Sequence, residues 1–188
     1  ELTKLKKDLS GIQIVAFTAT ATPTVQLDVI RILSLSSPKI YRQSYIRENL
    51  YYDVDELEAK QQKDINILAR KIQMWITKHD YTRKTGIIYC LSRDNTEILS
   101  SELNKLGFSV DYFHANLPMD QKKTVQSRWI TGKTKIIVAT IAFALGINKS
   151  NVRFVIHAAL PKSIEGFYQE TGRAGRDGKI SRCLLLYS

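Results

Sequence analysis

Cysteine is nearly absent. Cys90 and Cys183 are the only two in 188 residues, and each stands inside an apolar run, GIIYCL and RCLLLY. A lone cysteine in such a run behaves as a small buried hydrophobe. Histidine is scarce as well, with three in the chain, and no Cys/His set has zinc spacing or outlines a disulfide framework. No metal site is therefore expected. No apolar run approaches the ~18 residues that a membrane helix needs, and no secretory leader is visible. Asn148-Lys149-Ser150 matches a glycosylation acceptor, but without an export signal the match is read as chance and the protein is expected to be intracellular.

A phosphate-binding loop is missing too. The run Ser127-Arg-Trp-Ile-Thr-Gly132-Lys133-Thr134 comes near to G-x-x-x-x-G-K-[S/T] but lacks the first glycine. Its context is also reversed, because a phosphate loop follows a strand and opens a helix, whereas here a helix precedes and a strand follows. Gly132 reads as a helix C-cap and Lys133 as a loop charge. No Asp-Glu pair follows a hydrophobic strand, as a magnesium-holding acidic box would require. These absences exclude a self-contained ATPase. The chain begins at Glu1 without a methionine and ends on the strand-like CLLLYS, so both ends read as cuts through a longer polypeptide.

What is present is positive charge and a regular alternation of patterns. The net charge is +10 with 44% hydrophobic residues. That is enough apolar content for a sizeable core, and the basic balance favours a polyanionic partner over a merely basic soluble protein. Short β-branched runs at 12–17, 39–42, 50–54, 85–91, 109–113, 135–139, 153–156 and 183–187 predict strands. Apolar residues near helical spacing predict helices over 24–33, 63–79, 94–106, 120–131 and 163–170. Pro23 falls at or just before the first helix, and Gly107 and Gly132 close two others. Alternating β and α predicts an α/β fold: a mostly parallel sheet with helices on both faces and ligands at the carboxyl ends of the strands. The stretch 34–49, poor in large apolar residues and containing Pro38, is the best boundary candidate.

The strongest chemical signal is Gln169-Glu-Thr-Gly172-Arg173-Ala-Gly175-Arg176-Asp177-Gly178. Glycines at every third position stop a helix and leave an open backbone. Two arginines stand between them, and arginine is always charged and forks onto phosphate oxygens. A plain glycine-rich turn with solvated arginines would explain the turn but not the whole decapeptide.

That decapeptide resembles motif VI of superfamily 2 helicases in the form used by the RecQ family. The other motifs follow in order. Phe17-Thr-Ala-Thr-Ala-Thr22 resembles motif III, Ile88-Tyr-Cys-Leu-Ser92-Arg93 motif IV, Tyr112-Phe-His114-Ala the family's Y-H-A segment, and the stretch from Val138 to Lys149 motif V. Val152-Arg-Phe-Val-Ile-His157 and Leu160-Pro161-Lys162-Ser163 also match, and the chain is closest to the eukaryotic, Bloom syndrome type. The resemblance implies two RecA-like lobes with ATP between them, residues 1–45 being the tail of the first lobe and 46–188 the second. It implies a 3′→5′ DNA helicase acting in recombination, repair and replication, located in the nucleus. ATP and Mg2+ would be held mostly by the absent part of the first lobe, and this chain alone would be inactive. DNA, as single strands and duplex junctions, is the implied partner, with no membrane.

The implied roles follow position by position. Arg176 matches the arginine finger at the γ-phosphate, Arg173 a phosphate contact that ties the loop to the first lobe, and Gln169 a sensor of cleft closure. Asn148 and Gly146 match the ribose-side contact. Thr18 and Thr20 would couple nucleotide state to the track. Ser92, Arg93, Thr140, His114 and Lys162 would hold the DNA backbone, a grip that does not read bases; Ser92 also reads as a helix cap and His114 and His157 as structural histidines. Motif V departs from the family form F-G-M-G-I-D-K-P: Ala144 replaces a glycine and Asn148 the aspartate, keeping a hydrogen-bonding oxygen but losing the charge. Two other readings remain. One is a degenerate, non-hydrolysing binding or regulatory module. The other is an RNA helicase or remodeller, against which Gln169-Glu170 stands, since the common RNA-helicase form begins with His-Arg.

Overall fold

The structure is a computed structural model that describes residues 11–18, 21–42, 44, 46–58, 64–144 and 148–188. The chain divides into two units, Glu1–Ile46 and Arg47–Ser188. In the first unit, helix α1 (Pro23–Ile32) starts where predicted. The Thr22 hydroxyl accepts the Val25 N–H at 3.3 Å, and Pro23 sits at the first helical position, where its missing N–H costs little. The expected strands at 12–17 and 39–42 do not form. A β-branched run becomes a strand only when a neighbour completes its ladder, and the described residues of this unit contain no strand to pair with.

The second unit alternates β1 (Leu50–Glu56), α2 (Ile65–Lys78), β2 (Thr85–Tyr89), α3 (Arg93–Lys105), β3 (Val110–Phe113), α4 (Met119–Ile130), β4 (Ile136–Ala139), a 3-10 turn (Ile141–Ala144), β5 (Val152–His157), α5 (Ile164–Thr171) and β6 (Ser181–Tyr187). The six strands are all parallel, in the order β1-β6-β5-β2-β4-β3. The most uniformly apolar runs, GIIY within β2 and IIVA in β4, lie inside the sheet and are buried throughout, as a strand covered on both faces must be. β1 is an edge and carries Asp53, Asp55 and Glu56, charges that discourage pairing with another chain.

Side chains alternate across each strand, which divides the core in two. On one face Leu68, Ile72 and Ile76 of α2 and Leu99 and Leu103 of α3 pack on Ile88, Val138, Phe154 and Ile156. On the other, Trp129 of α4, Phe143 and Ala174 pack on Ile87, Ile137, Val155 and Cys183. The α/β architecture and its helices on both faces are as the sequence predicts. Gly107 and Gly132 end α3 and α4 with φ of 89° and 79°. Beyond α3 the Phe108 N–H returns to the Leu103 carbonyl at 3.1 Å, the six-to-one bond of a Schellman cap.

Candidate functional site

The arginine loop is built on backbone. Ser163 caps α5 by accepting the Gly166 N–H at 3.0 Å, and the helix runs to Thr171 with Glu170 and Thr171 buried. The chain then leaves through Gly172 and passes beneath the amino ends of the strands. The Gly175 N–H donates to the carbonyl of Val152, the first residue of β5, at 2.9 Å. Gly175 has φ of 57°, and a Cβ there would lie 2.9 Å from both the Lys179 carbonyl oxygen and the Ser181 Oγ, so the position requires glycine. Arg47 donates to the carbonyls of Gly172, Ala174 and Gly175 at 3.1, 3.2 and 2.6 Å. Asn49 Nδ2 donates to those of Gly175 and Lys179 at 2.8 and 2.9 Å. Arg153 closes the far side by donating to Asp177 at 2.6 Å. Burial alone would raise the Asp177 pKa, but this bond and the Lys179 N–H hold it below the usual range.

On this frame stand the two arginines, Arg173 half-buried and Arg176 exposed. Partial burial and then the neighbouring charges of Arg173 and Arg47 push the Arg176 pKa down, the mark of cations gathered where an anion would relieve them. Behind Arg173 lies Tyr89, at the end of β2. Burial pushes its pKa up, against the pull of the Arg173 charge. The two side chains are near enough to feel each other, yet the Tyr89 hydroxyl and the Arg173 Nε are both buried without a well-aligned hydrogen bond. Gln169 is exposed on the last turn of α5. Its neighbour Glu170 is buried and bonded to His157 Nε2 at 2.6 Å, and the His157 ring stacks on Tyr89 with centroids 5.3 Å apart. His157 is thus structural, fastening α5 to β5.

The proposed backbone-gripping residues collect beyond the carboxyl ends of the strands. Ser92 and Arg93 follow β2, Thr140 follows β4 and Lys162 follows β5, three strands that are neighbours. Ser92, Arg93 and Lys162 are exposed and Thr140 is half-buried. Ser92 caps α3, accepting the Asn95 N–H at 3.1 Å. A groove of about 450 Å³ opens beside them, lined in part by Leu91, Asn95, Ala159 and Leu160. His114 stands at the same end of the sheet, since the carbonyl of Phe113 just before it accepts the Thr140 N–H at 3.1 Å, but it is less accessible. It follows β3, is 5% exposed, bonds Glu97 of α3 at 2.9 Å and stacks on Tyr112. Its Nε2 edge is engaged by Glu97, so the ring packs against α3 as well as lying at a strand end.

Of motif V, Asn148 is exposed, while Gly146 lies outside the described residues, as does Thr20 of motif III. Thr18 is exposed in the irregular segment of the first unit. Lys149 itself is held: its Nζ donates to the Ile130 carbonyl at the end of α4 at 2.8 Å and lies 5.4 Å from the centre of the Trp129 ring. Sequence reasoning missed Arg47, Asn49 and the Arg153–Asp177 pair. Their partners lie far away in the chain, and the one local signal was an arginine and an asparagine just ahead of a strand.

Among the described residues no helix is long and apolar enough to cross a membrane. The description of the helicase conserved C-terminal domain family matches residues 64–178. The chain is 46% identical over 177 residues to the RecQ-like DNA helicase blm-1 of Caenorhabditis elegans, covering 94% of this chain and 17% of that protein. It is 43% identical over 188 residues to the RecQ-like DNA helicase BLM of Xenopus laevis, covering all of this chain and 13% of that one. With the ATP-dependent helicase SGS1 of Saccharomyces cerevisiae it shares 39% over 188 residues, 12% of that protein. The chain therefore spans less than a fifth of each of these relatives. Among solved structures it is similar in fold to domain 2 of the DEAD-box helicase Mss116p bound to an RNA duplex, with a TM-score of 0.61 and 21% identity over 73% of this chain and 54% of that one. A DEAD box protein from Methanococcus jannaschii gives 0.65 and 20% over 89% and 43%.

Proposed function

Because the chain belongs to the helicase conserved C-terminal domain family, and within it to the RecQ type of superfamily 2, we propose that residues 46–188 are the second motor lobe of an ATP-dependent 3′→5′ DNA helicase and residues 1–45 the tail of its first lobe. The division of the chain after Ile46 supports that boundary. The observation that carries the proposal is the arginine loop, with Arg173 and Arg176 on a backbone fixed at the amino ends of the sheet.

A nucleoside triphosphate fits what these residues offer: clustered guanidiniums and a lowered Arg176 pKa, with Arg173 backed by the buried Tyr89. The nucleotide would supply the phosphoryl group, with Mg2+ and the phosphate-binding loop contributed by the rest of the first lobe. Arg176 would meet the charge that gathers on the γ-phosphate, worth about 10³–10⁵ in rate where such arginines have been measured. Arg173 would hold phosphate and bring the lobes together, and Gln169 would register closure. Asn148, with Gly146, would contact the ribose, and Thr18 and Thr20 would carry the nucleotide state to the track. Ser92, Arg93, Thr140 and Lys162, with the less accessible His114 beside them, would grip a DNA single strand or a junction without reading its sequence. As in a eukaryotic DNA helicase of this type, the place of action would be the nucleus.

The test is DNA-stimulated ATP hydrolysis and unwinding of 3′-tailed against 5′-tailed duplexes by the full-length parent, beside this chain alone and with an RNA duplex as control. Turnover by the parent and none by this chain supports the motor-lobe reading. The exposed Asn148 in place of the family aspartate, with Ala144 in place of glycine, favours a second reading as a non-hydrolysing binding module. A parent that binds single-stranded DNA but does not hydrolyse ATP would put that reading first.

A further inference from the structure

Gly175 immediately precedes Arg176, and its carbonyl is the point on which the loop converges. It accepts from Arg47 Nη2 at 2.6 Å, Asn49 Nδ2 at 2.8 Å and the Gly178 N–H at 3.0 Å. The same Arg47 guanidinium reaches the Gly172 and Ala174 carbonyls, which bracket Arg173. The carbonyls on both sides of Arg173 and the one just before Arg176 are therefore all held by one side chain 125 to 128 residues away. We propose that Arg47, assisted by Asn49, is a positioning residue for phosphoryl transfer: it sets the arginine loop so that Arg173 and Arg176 present their charges in one fixed arrangement. The inference rests on the reading of the chain as a motor lobe.

The chemistry singles out arginine. Its five N–H donors lie in a rigid planar fork and can span three carbonyls at once, whereas a lysine ammonium is a point charge on a flexible stem. The fork does more than tie two segments. It adds a third positive charge beside the pair, and Arg47 is among the causes that push the Arg176 pKa down. Asn49 reinforces the frame from both sides of its peptide, since its carbonyl accepts the Ser181 N–H at 2.9 Å while its side chain holds Gly175 and Lys179. Arg47 is also the first residue of the second unit.

The experiment uses the full-length parent, with Arg47→Ala, Arg47→Lys and Asn49→Ala made singly and Arg47→Ala combined with Arg176→Ala. ATP turnover at saturating single-stranded DNA, KM for ATP, and amide hydrogen exchange over residues 172–178 are measured. Arg47→Ala is expected to lower kcat on the order of 100-fold, the cost of a misplacement near 1 Å, with KM for ATP moved less than about threefold. Arg47→Lys should recover less than about a tenth of that loss, since charge without the fork does not restore the geometry. Added to Arg176→Ala, Arg47→Ala should cost clearly less than it does alone, because the part of its effect that runs through Arg176 is already lost. Exchange over 172–178 should rise about tenfold or more while β2 and β4 keep their protection.

Turnover by Arg47→Ala within about twofold of the wild type, or losses that multiply in the double variant, would overturn the assignment. Asn49→Ala, which removes two of the five side-chain bonds, keeps it open to refutation if Arg47→Ala does not fold: unchanged exchange over 172–178 counts against it. A wild-type parent that does not hydrolyse ATP removes the motor reading instead, and the exchange arm still decides whether Arg47 holds the loop.

Discussion

The two ends of the second unit's sheet are built on opposite plans. At the carboxyl end, Ser92 and Arg93 follow β2, Thr140 follows β4 and Lys162 follows β5, and the four are mostly exposed. At the amino end, the arginine loop is a single locked object, fixed by Arg47, Asn49, Arg153 and the first residue of β5. The difference teaches where tolerance should lie. Separate surface contacts lose their contributions one at a time, whereas a fastened backbone fails as a whole.

The largest effect expected is at the locked end. In the full-length parent, Arg176→Ala should cut DNA-stimulated kcat by about 10³-fold or more while ATP binding largely survives; near-normal turnover would remove the finger assignment. Next comes Gly175→Ala, which adds a Cβ at φ of 57° against the Lys179 carbonyl and Ser181. Strain and the lost carbonyl node together should cost about 2–3 kcal/mol in urea unfolding, along with most of the turnover. If this variant is as stable as the wild type, the amino end is not locked as described.

At the carboxyl end the effects shrink. Arg93→Ala and Lys162→Ala should each weaken single-stranded DNA binding a few-fold and reduce the salt slope of log K by about 1, and their losses should add. Strong non-additivity would erase the contrast between the two ends. Ser92→Ala should cost about 1 kcal/mol of stability through the lost cap, with a smaller effect on DNA affinity, measured by titration beside unfolding. Smallest of all is a pH effect in the core. Burial pushes the Cys90 and Cys183 thiols up to about 12 from an ordinary 9.0. Folding therefore favours the protonated forms: their contribution is whole below pH 9.0, declines as pH rises above it, and is gone once the folded pKa is passed. Thiol alkylation at pH 8 should accordingly be negligible until the protein is unfolded.

Much of this fold is legible in local pattern. The uniformly apolar runs of β2 and β4, the capping residues Thr22, Ser92 and Ser163, and the glycines after α3 and α4 all act within a few residues of themselves. The strands expected at 12–17 and 39–42 fail for the complementary reason: β structure needs a neighbour, and composition cannot supply one. The candidate site divides in the same way. The arginines announce themselves through the glycines around them, but the side chain that holds them sits in an unremarkable loop more than a hundred residues earlier. For His114 the sequence offers both a structural and a DNA-facing reading, and the bond to Glu97 of the adjacent helix is a partner that local pattern does not announce.

The seat of Trp129 gives the molecule a built-in optical gauge. Its ring is fully buried, its indole N–H points at the Gly86 carbonyl 3.3 Å away, and the ammonium of Lys149 rests 5.4 Å from its centre. The other tryptophan, Trp75, lies with the opposite core and donates to Asp53 at 3.1 Å. The chain therefore carries two natural fluorophores on opposite sides of one sheet. A shift of the Asn148–Lys149 segment changes the electric field on the first and leaves the second as an internal reference, so the emission of unlabelled protein can follow that segment in real time.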